Sequence, residues 1–560
     1  MPPHFVIQCI DCGHHTPLDP METQCPACGS LWREAKYDLK SAAEAFRRLD
    51  CSMTFDLWRY RALLPIMDLA MAPKIGEGGT PLLHATNLGM MLGLKNLYIK
   101  DERQGPTASF KDRQAAITVA MLREAGLTEV VVASTGNVAI AYSAFCAKAG
   151  IKLWAFLTSL VPAEKMHEVA IYGTQVIKVT STYDQAKKLA AEFASDRNLY
   201  LDRGTKSIAA VEAMKTIALE IAEQLAGQLG PEHHPASGEV IWRSPDWYLQ
   251  AVSGAIGPFG VHKGFRELKS MGMVDRIPAL GIIQAEGCSP MVSSWRNQQE
   301  QVTPIANPST HISTLSTGDP GRTYSLLRQL MLAEGGGVME SVTDEEAFQA
   351  LHTVAKMEGL SIEPAAAVAF AGLFKLVKQG IIDSDEVIVV NCSGHTMPIE
   401  PSLLGEGWSK DVELPQGALP ETPDEGLLAA LARLDQTRIE HILVVDDHAD
   451  ARRLIRRILQ AHGEYAIEEA NNGAEALDKA VNNKPDLIIL DLMMPEMDGF
   501  TALDHLKAHE ETADVPVVVV TAKELTGAEK KKLEGQIARL MMKGDFLNED
   551  FLDEIGKVLE

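Results

Sequence analysis

The string Pro106-Thr107-Ala108-Ser109-Phe110-Lys111-Asp112-Arg113, with Ser134-Thr135-Gly136-Asn137 downstream, points to the architecture of the larger part of this chain. The second string follows an apolar run, Val130–Ala133, and precedes an amphipathic segment at 138–149. Turns of small residues between a buried strand and a helix are typical of parallel α/β folds, in which ligands bind at the carboxyl ends of strands. A lysine near such a turn suits the binding of an aldehyde cofactor.

The same alternation of apolar runs and amphipathic segments continues from about residue 95 to 400. It predicts strands at 97–100, 130–133, 153–156, 176–179, 248–252, 280–283 and 387–390, and helices at 113–125, 138–149, 183–195 and 207–226. Buried strands that alternate with helices indicate an α/β domain with largely parallel sheets. A second turn of small residues, Ser253-Gly254-Ala255-Ile256-Gly257, follows the strand at 248–252. Alone it predicts either a phosphate-binding turn or an ordinary tight strand–helix turn.

Length, composition and charge narrow the function classes. The chain has 560 residues, 46% of them hydrophobic, so we expect several domains of about 150 residues with real cores. The net charge of −24 and the lack of a long basic stretch argue against a nucleic acid as the main partner. The sequence has neither a signal-peptide pattern nor an apolar run of about 18–20 residues, which predicts a cytoplasmic protein.

Four of the eight cysteines form two CxxC pairs, each followed by glycine: Cys9 with Cys12, and Cys25 with Cys28. Two such turns can point four thiolates at one ion, which predicts a closed, structural zinc site. The alternatives are free thiols or a redox pair, but a redox CxxC is expected beside a βαβ pattern, and none is present here.

Residues 1–400 resemble fold-type II pyridoxal-phosphate enzymes, and most closely the threonine synthase family, some members of which carry an N-terminal zinc ribbon. The strings that carry the resemblance are Gly78–Leu82, Lys100–Glu102, Ser109–Arg113, Ser134–Asn137, Glu363–Ala365 and Ser393–His395. The resemblance implies two parallel-sheet α/β subdomains and the cofactor pyridoxal 5′-phosphate.

The resemblance also assigns roles to site residues. It implies that Lys111 is the catalytic lysine that binds the cofactor covalently, and that Asn137 hydrogen-bonds the cofactor's 3′-oxygen. The loop Ser253, Gly254, Ala255, Ile256 and Gly257 would hold the cofactor phosphate, and Ser393 would face the pyridine nitrogen. The turn Ser134, Thr135 and Gly136 would bind the substrate carboxylate.

The sequence departs from the family pattern in ways that leave the substrate open. Threonine synthases usually have a GNAGN-like phosphate loop, whereas this chain has Ser-Gly-Ala-Ile-Gly-Pro, and Ser393 stands where a threonine is usual. The segment 246–252 looks closer to the cysteate synthase branch. The two branches act on O-phosphohomoserine with water and on O-phosphoserine with sulfite, respectively. We expect a cation to meet the leaving phosphate, with Arg113 as the first candidate and Lys165 and Lys215 as the others.

Beyond residue 400 the composition changes. Residues 401–424 are rich in Pro, Gly and Glu, and a short leucine pattern follows, which predicts a linker and connecting helix over 401–438. The expected domains are therefore a zinc ribbon (1–35), a pyridoxal-phosphate enzyme domain (36–400), this linker, and a C-terminal domain (439–560).

The C-terminal domain shows five apolar strands, at 441–446, 465–470, 486–491, 515–521 and 538–543, with helices between them. Asp446 and Asp447 end the first strand and Asp491 ends the third, and such carboxylates can together bind Mg²⁺. The domain resembles a response-regulator receiver, a (βα)5 flavodoxin-like fold. The resemblance implies Asp491 as the phosphorylated residue, Thr521 and Lys543 as phosphoryl ligands, and the Met493 carbonyl as a further Mg²⁺ ligand.

This receiver lacks the usual aromatic switch residue, since Leu540 occupies that position, and Gly544 replaces a common proline. The fused enzyme is therefore the nearest target for its output. The sequence predicts an enzyme that acts on a small phosphorylated amino acid, with a histidine kinase or phosphotransfer protein as partner and a homodimer as a possible assembly. The alternative is a signalling protein whose pyridoxal-phosphate fold serves as a silent sensor.

Overall fold

The computed structural model describes residues 4–49, 53–134, 136–158, 163–179, 183–230, 233–234, 238–239, 242–395, 440–462, 465–521, 523 and 525–542. Contacts divide the chain into two compact units, and each is described by itself. The first contains most of residues 4–395, and the second contains the sheet within residues 440–542. The expected linker and connecting helix, 401–438, lies outside the described residues.

A small antiparallel sheet opens the chain. Its strands are β1 (Phe5–Cys9), β2 (His15–Thr16) and β3 (Arg33–Tyr37), in the order β2-β1-β3. We call residues 4–37 the cysteine ribbon. The two CxxC turns end at Gly13 and Gly29, whose φ angles of 72° and 73° lie in the left-handed region that glycine adopts without strain.

The central region contains two larger sheets. Its strands are β4 (Leu82–His84), β5 (Asn96–Asp101), β6 (Glu129–Ser134), β7 (Lys152–Thr158), β8 (Gln175–Val179), β9 (Tyr200–Leu201), β10 (His233–His234), β11 (Gly238–Glu239), β12 (Trp247–Ala251), β13 (Ala279–Ala285), β14 (Gly337–Val342) and β15 (Val387–Cys392). The larger sheet has the order β14-β13-β12-β15-β5-β4 and is parallel except for β4. The smaller sheet, β8-β7-β6-β9, is entirely parallel.

Twelve α-helices lie among the described residues between 39 and 378. They are α1 (Leu39–Phe46), α2 (Thr86–Leu92), α3 (Lys111–Glu124), α4 (Asn137–Ala149), α5 (Ala163–Ile171), α6 (Tyr183–Asp196), α7 (Ile208–Leu229), α8 (Ile256–Ser270), α9 (Pro290–Arg296), α10 (Arg322–Ala333), α11 (Asp344–Glu358) and α12 (Pro364–Lys378). The short 3₁₀ helices are Leu57–Leu63, Leu69–Met71, Glu102–Gln104, Gly204–Lys206, Glu286–Cys288 and Ser313–Leu315. Among the described residues, no helix combines the length and apolarity needed to cross a membrane.

Burial explains why the apolar runs form central strands. All residues of β12 and β15 are buried, as expected for parallel strands covered on both faces. The predicted strands and helices of the central region are confirmed, with ends that differ by up to three residues. The sequence analysis did not predict β14 or the antiparallel β4. Both are edge strands of the larger sheet and pair with a single neighbouring strand. They are partly exposed, so their sequences are less uniformly apolar than those of the central strands.

The second unit contains a five-stranded parallel sheet. Its strands are β16 (Glu440–Val445), β17 (Tyr465–Ala470), β18 (Leu487–Leu490), β19 (Val517–Thr521) and β20 (Arg539–Met542), in the order β17-β16-β18-β19-β20. Its helices are α13 (Ala449–His462), α14 (Gly473–Asn482), α15 (Gly499–Ala508) and α16 (Gly527–Leu533). All five predicted strands are confirmed, and this strand order is that of the flavodoxin-like folds.

Candidate functional site

Lys111 is the first residue of α3. It lies where the loop before α3 contacts the segment that follows β15. The Phe110 N–H donates to the Ser393 carbonyl at 3.0 Å, and Ser109 forms an isolated β-bridge with Gly394. Asp112 accepts a hydrogen bond from the Thr107 N–H at 2.9 Å. These contacts join the loop before α3 to the segment that follows β15, and they hold Lys111 beside Ser393.

Lys111 borders the cleft, but the surrounding protein removes much of its water. Burial lowers the pKa of the Lys111 amine from an ordinary 10.5 to about 8, and the negative charges of Asp202 and Glu363 partly offset that shift. At neutral pH the neutral fraction of the amine is therefore larger than for an ordinary lysine. A neutral amine can attack an aldehyde or accept a proton, so the environment suits the predicted role.

A polar cluster that includes Asn137, Glu363 and Ser393 lines the same cleft as Lys111. The Asn137 amide, at the start of α4, donates to both carboxylate oxygens of Glu363 at 3.1 and 2.9 Å. The Ser393 hydroxyl donates to the same carboxylate at 3.4 Å, and Lys165 Nζ donates to Asn137 Oδ1 at 3.4 Å. From the sequence, Glu363 was known only as part of a motif. Its contact with Asn137 joins residues 226 positions apart, which a local pattern does not reveal.

The Ser253–Gly257 turn presents main-chain N–H groups to the same cleft. Ala255 has φ 60°, a left-handed value that is uncommon for alanine, and it begins α8 without a side-chain cap. Within the described part of the chain, the N–H groups of Gly254, Ala255, Ile256 and Gly257 have no hydrogen-bond acceptor. Uncapped N–H groups at a helix start can bind an anion such as a phosphate.

These groups share one cleft with a cavity volume of about 1010 Å³. It is lined by Lys111, Asn137, Glu363, Ser393 and the whole Ser253–Gly257 turn, and by neighbouring residues that include Leu31, Trp32, Gln114, Lys187, Lys188, Asp202, Arg203, Lys206, Asp319 and Arg322. An activated lysine, a helix start with open N–H groups and a hydroxyl are a donor set that fits a phosphorylated aldehyde such as pyridoxal 5′-phosphate.

The turn expected to bind the substrate carboxylate is described in part. The Ser134 hydroxyl accepts hydrogen bonds from the N–H groups of Gly136 at 3.0 Å and Ala139 at 3.1 Å, so it caps the start of α4. Gly136 has φ 139°, and a Cβ there would come within 3.3 Å of the Lys165 side chain. Thr135 lies outside the described residues. The substrate role of this turn stays a prediction.

Arg113 does not serve as a substrate-phosphate ligand in this structure, which corrects the sequence expectation. Its guanidinium is buried and donates to Glu102 at 2.8 Å and to Glu220 at 2.6 and 2.8 Å. Burial alone would raise the pKa of Glu220, but Arg113 and Lys100 outweigh it and lower that pKa to about 2. A buried arginine that two carboxylates already neutralise has a structural role.

The other two cationic candidates differ from each other. Lys215 is also buried, with Nζ 2.6 Å from Glu212 and 2.9 Å from Glu267, so it too is unsuited to bind substrate. Lys165 lies beside Asn137 and Gly136 and stays a candidate. Five further cations that the sequence did not mark line the cleft, namely Lys187, Lys188, Arg203, Lys206 and Arg322. They lie on segments without a motif, and only the fold brings them together.

The four ribbon cysteines come together as predicted. Their sulfur atoms all lie within 4.8 Å of one another. The Sγ–Sγ distance is 3.6 Å both for Cys9–Cys28 and for Cys12–Cys25. Four thiolates at such separations fit a tetrahedral zinc ion, with Zn–S distances of about 2.3 Å.

The second unit has an acidic site at the carboxyl end of its sheet. Asp446 follows β16, Asp491 follows β18, and Thr521 ends β19; all three are buried. Ligand atoms of Asp446, Asp447 and His448 lie within 4.8 Å of one another, with His448 Nδ1 2.7 Å from Asp447 Oδ1. The Met493 N–H donates to Asp491 at 3.3 Å, and the Met493 side chain is exposed. Sequence reasoning missed His448, and Lys543 lies outside the described residues.

Comparisons with known proteins agree with this geometry. The family of pyridoxal-phosphate dependent enzymes matches residues 74–394, and the response regulator receiver domain matches residues 442–547. The threonine synthase of Methanocaldococcus jannaschii is 34% identical over 394 residues, which cover 69% of this chain and 91% of that protein. The threonine synthase of Methanosarcina acetivorans is also 34% identical, with 70% and 92% covered.

Among solved structures, a threonine deaminase from Solanum lycopersicum superposes with a TM-score of 0.47 at 22% identity, over 58% of this chain and 85% of that one. The curated relatives, the family match and the site together give the same assignment. This chain therefore belongs to the threonine synthase family of pyridoxal-phosphate dependent enzymes, and it carries a response regulator receiver domain after the enzyme region.

Proposed function

We propose that the chain removes phosphate from O-phosphohomoserine and adds water to form threonine, and that phosphorylation of the receiver at Asp491 modulates this activity. The observation that carries the catalytic part is the placement of Lys111, Asn137, Ser393 and the Ser253–Gly257 turn around one cleft. The names of the relatives, threonine synthases, support threonine as the product.

Each group in the cleft has a distinct task in this proposal. The Ser253–Gly257 N–H groups would hold the phosphate of the cofactor, Asn137 its ring oxygen, and Ser393 its ring nitrogen. When bound, the cofactor supplies an electron sink for negative charge that develops on the substrate. The Lys111 amine would hold the cofactor between turnovers and then move protons at the substrate carbons, for which a pKa near neutrality is suited.

The exposed cations around the cleft favour a substrate with more than one negative charge. Arg203, Lys206 and Lys188 are exposed residues of the cleft lining, and Lys165 stands next to Asn137. Several cations around one cleft raise the local concentration of an anionic substrate. They would also stabilise the departing phosphate, a task for which Arg113 is unavailable.

A cysteate synthase-like replacement, O-phosphoserine with sulfite, is the second candidate. It is favoured by segment 246–252 and the Ser253–Pro258 loop after it, which look closer to the cysteate synthase branch. The ribbon cysteines would hold zinc, and Asp446, Asp447, Asp491 and the Met493 carbonyl would hold Mg²⁺ in the receiver, with Thr521 and Lys543 as phosphoryl ligands. A receiver also implies a histidine kinase or phosphotransfer partner.

A phosphate-release screen tests the catalytic proposal. The holoenzyme is incubated with O-phosphohomoserine, and with O-phosphoserine in the presence and absence of sulfite, and the amino-acid products are identified. Threonine with stoichiometric phosphate from the first substrate supports the proposal. Sulfite-dependent release from O-phosphoserine replaces it with the second candidate. Cofactor binding without release from either substrate favours a sensor.

A further inference from the structure

The cysteine ribbon and the cleft are joined by one ion pair, between Asp11 and Arg322, 311 residues apart. Asp11 lies inside the first CxxC turn, between Cys9 and Cys12. Arg322 NH1 donates to Asp11 Oδ2 at 2.8 Å and NH2 donates to Oδ1, so the pair is bidentate. The Ser30 hydroxyl, just after the second CxxC turn, also donates to Asp11 Oδ2, at 2.6 Å. Both cysteine turns therefore fix the carboxylate that receives Arg322.

The ribbon also forms part of the cleft wall. Leu31 and Trp32, which follow the second CxxC turn, line the cleft directly. The Trp32 carbonyl accepts a hydrogen bond from the Ile10 N–H at 3.0 Å, so this wall is tied to the first CxxC turn. The Arg322 guanidinium lies 5.8 Å from the centre of the Trp32 ring, a cation–π distance. Arg322 thus bridges the aspartate and the wall.

Arg322 ends a loop that reaches the phosphate-binding turn. We call residues 316–321 the cleft loop; it immediately precedes α10, whose first residue is Arg322. Within it, the Thr317 hydroxyl accepts a hydrogen bond from the Ser253 hydroxyl, and the Thr317 N–H donates to Ser253 Oγ at 3.3 Å. On the other side of Arg322, the Thr323 hydroxyl pairs with that of Thr205 at 2.8 Å. A shift of Arg322 would therefore move the partners of Ser253.

We propose that Asp11 is a positioning residue of the active site, which holds Arg322 and thereby orders the cleft loop and the Ser253 hydroxyl for cofactor binding. The cysteine ribbon then serves as a structural support of the cleft as well as a metal site. By linkage, a ligand in the cleft and a metal ion in the ribbon stabilise each other's binding. This role of Asp11 rests on the cofactor binding in the proposed function. It is the same for either phosphorylated amino acid as substrate.

A purely stabilising role predicts a different result. Asp11 and Arg322 are both part-exposed, with 34% and 41% of their side-chain surface accessible. Exposed ion pairs add little to the free energy of folding. Loss of this pair should therefore leave the melting temperature close to that of the wild type while it weakens cofactor binding. If the ion pair only stabilised the fold, its loss would change both the melting temperature and the affinity for the cofactor, or neither.

The test compares the full-length Asp11→Asn and Arg322→Gln variants, their double variant, and Asp385→Asn as control. Asp385 pairs with Lys95 at 2.5 Å in an exposed ion pair and is not among the residues that line the cleft. The dissociation constant of pyridoxal 5′-phosphate is measured by absorbance titration of the cofactor-free protein, together with the melting temperature. We expect each single variant to raise that constant by at least about fivefold, the lower end of typical coupling. The control should bind as the wild type does.

The double variant and metal removal sharpen the test. Asp11 and Arg322 act through one contact. The dissociation constant of the cofactor for the double variant should therefore not exceed the higher of the two single-variant values. Removal of zinc with a chelator should weaken cofactor binding in the wild type more than in Asp11→Asn. Unchanged affinity in Arg322→Gln, or additive losses in the double variant, would overturn the proposal. If Asp11→Asn does not fold, Ser30→Ala takes its place, because Ser30 donates to Asp11 and is not among the residues that line the cleft.

Discussion

The Asn137 amide donates hydrogen bonds to both carboxylate oxygens of Glu363, at 3.1 and 2.9 Å, across 226 residues of sequence. The contact fixes the orientation of the side chain that the resemblance assigns to the cofactor's 3′-oxygen. Glu363 is buried, lies at the start of α12, and also accepts from Ser393. It therefore links two of the three side chains predicted to touch the cofactor.

Replacement of Glu363 should impair catalysis more than folding. We expect Glu363→Ala to lower kcat/KM by about 10- to 100-fold, because Asn137 loses its fixed orientation and small misplacements in an active site can cost that much. The measurement is phosphate release per bound cofactor. Exposed Glu345 on α11 provides the control, Glu345→Ala. Turnover like that of the wild type in Glu363→Ala would show that the contact is incidental.

Lys111 should govern cofactor capture with a characteristic pH dependence. Because burial lowers the pKa of its amine to about 8, the neutral form accumulates as pH rises through that value. The rate at which the cofactor-free protein takes up pyridoxal 5′-phosphate should therefore increase with pH, with a midpoint near the lowered pKa. Stopped-flow absorbance measures this rate between mildly acidic and alkaline pH.

Lys111→Ala should abolish the absorbance band of the lysine-bound cofactor and leave the melting temperature almost unchanged. Lys206→Ala, at the exposed rim of the same cleft, is the matched control and should retain the band. Borohydride reduction followed by peptide mapping identifies the modified lysine. A reduced adduct on any residue other than Lys111 contradicts the assignment.

Arg113 should matter for stability and not for substrate affinity. Its guanidinium bridges Glu102 and Glu220 in the interior, so Arg113→Ala removes the arginine from two buried carboxylates and leaves Glu220 with Lys100 as its cation. Breaking a buried pair in this way typically costs about 3–5 kcal/mol of the free energy of unfolding. Urea unfolding followed by circular dichroism measures the loss. A raised KM with unchanged stability would restore Arg113 as a substrate ligand.

The contrast between Lys111 and Arg113 shows how far the sequence reaches. Both stand in one string, which singled out Lys111 for the cofactor, and the structure has Lys111 at the start of α3 in the lining of the cleft. Two residues further along α3, Arg113 points to a different side of the helix, because successive helical residues differ in direction by about 100°. Which side faces the cleft and which faces Glu220 depends on α7, more than 100 residues away.

The positions of the central strands and of the local motifs were predictable for a related physical reason. Buried runs such as Val387–Val390 of β15 and the whole of β18 are apolar, and a turn of small residues marks the strand end at which a site forms. By contrast, Asp11 and the lysines of α6 carry no local signal, and Glu363 stands in a motif that assigns it no role of its own. Their importance arises from contacts across hundreds of residues, which spacing along the chain does not reveal.

The ribbon should contain one equivalent of zinc. Its four sulfur atoms are close enough to share one tetrahedral ion, so Cys12→Ser should lower both the metal content and the melting temperature. Elemental analysis of the purified chain measures the content. His14→Ala changes a neighbouring side chain that is not one of the four clustered ligands and should keep the metal. Metal-free protein with undiminished thermal stability would contradict a structural zinc site.

The receiver should respond to phosphorylation at one aspartate. Asp491 is buried at the end of β18, next to Asp446 and Thr521 on the flanking strands. A small phosphodonor with Mg²⁺ should add one phosphoryl group, and Asp491→Asn should block this. Asp514→Asn, an exposed aspartate paired with Lys484, is the control and should be modified like the wild type. Intact-mass measurement detects the adduct.

Regulation of the enzyme by that event is a separate and stricter prediction. Phosphorylation changes catalysis only if some state of the enzyme interacts differently with the two forms of the receiver. A tether through 401–438 would keep the two domains at a high effective concentration, so even a weak interaction would be populated. Coupling of about 1–3 kcal/mol, or 5- to 150-fold, is typical of such links.

We therefore expect the phosphorylated wild type to differ from the unphosphorylated protein in phosphate-release kinetics or in dimerisation, while Asp491→Asn shows one behaviour with or without the phosphodonor. Steady-state kinetics and sedimentation velocity on the same samples measure the two properties. If both are identical after confirmed modification of Asp491, the receiver does not control this enzyme. Its phosphorylated surface would then have to act on a third protein, because a modification without differential binding cannot shift any equilibrium.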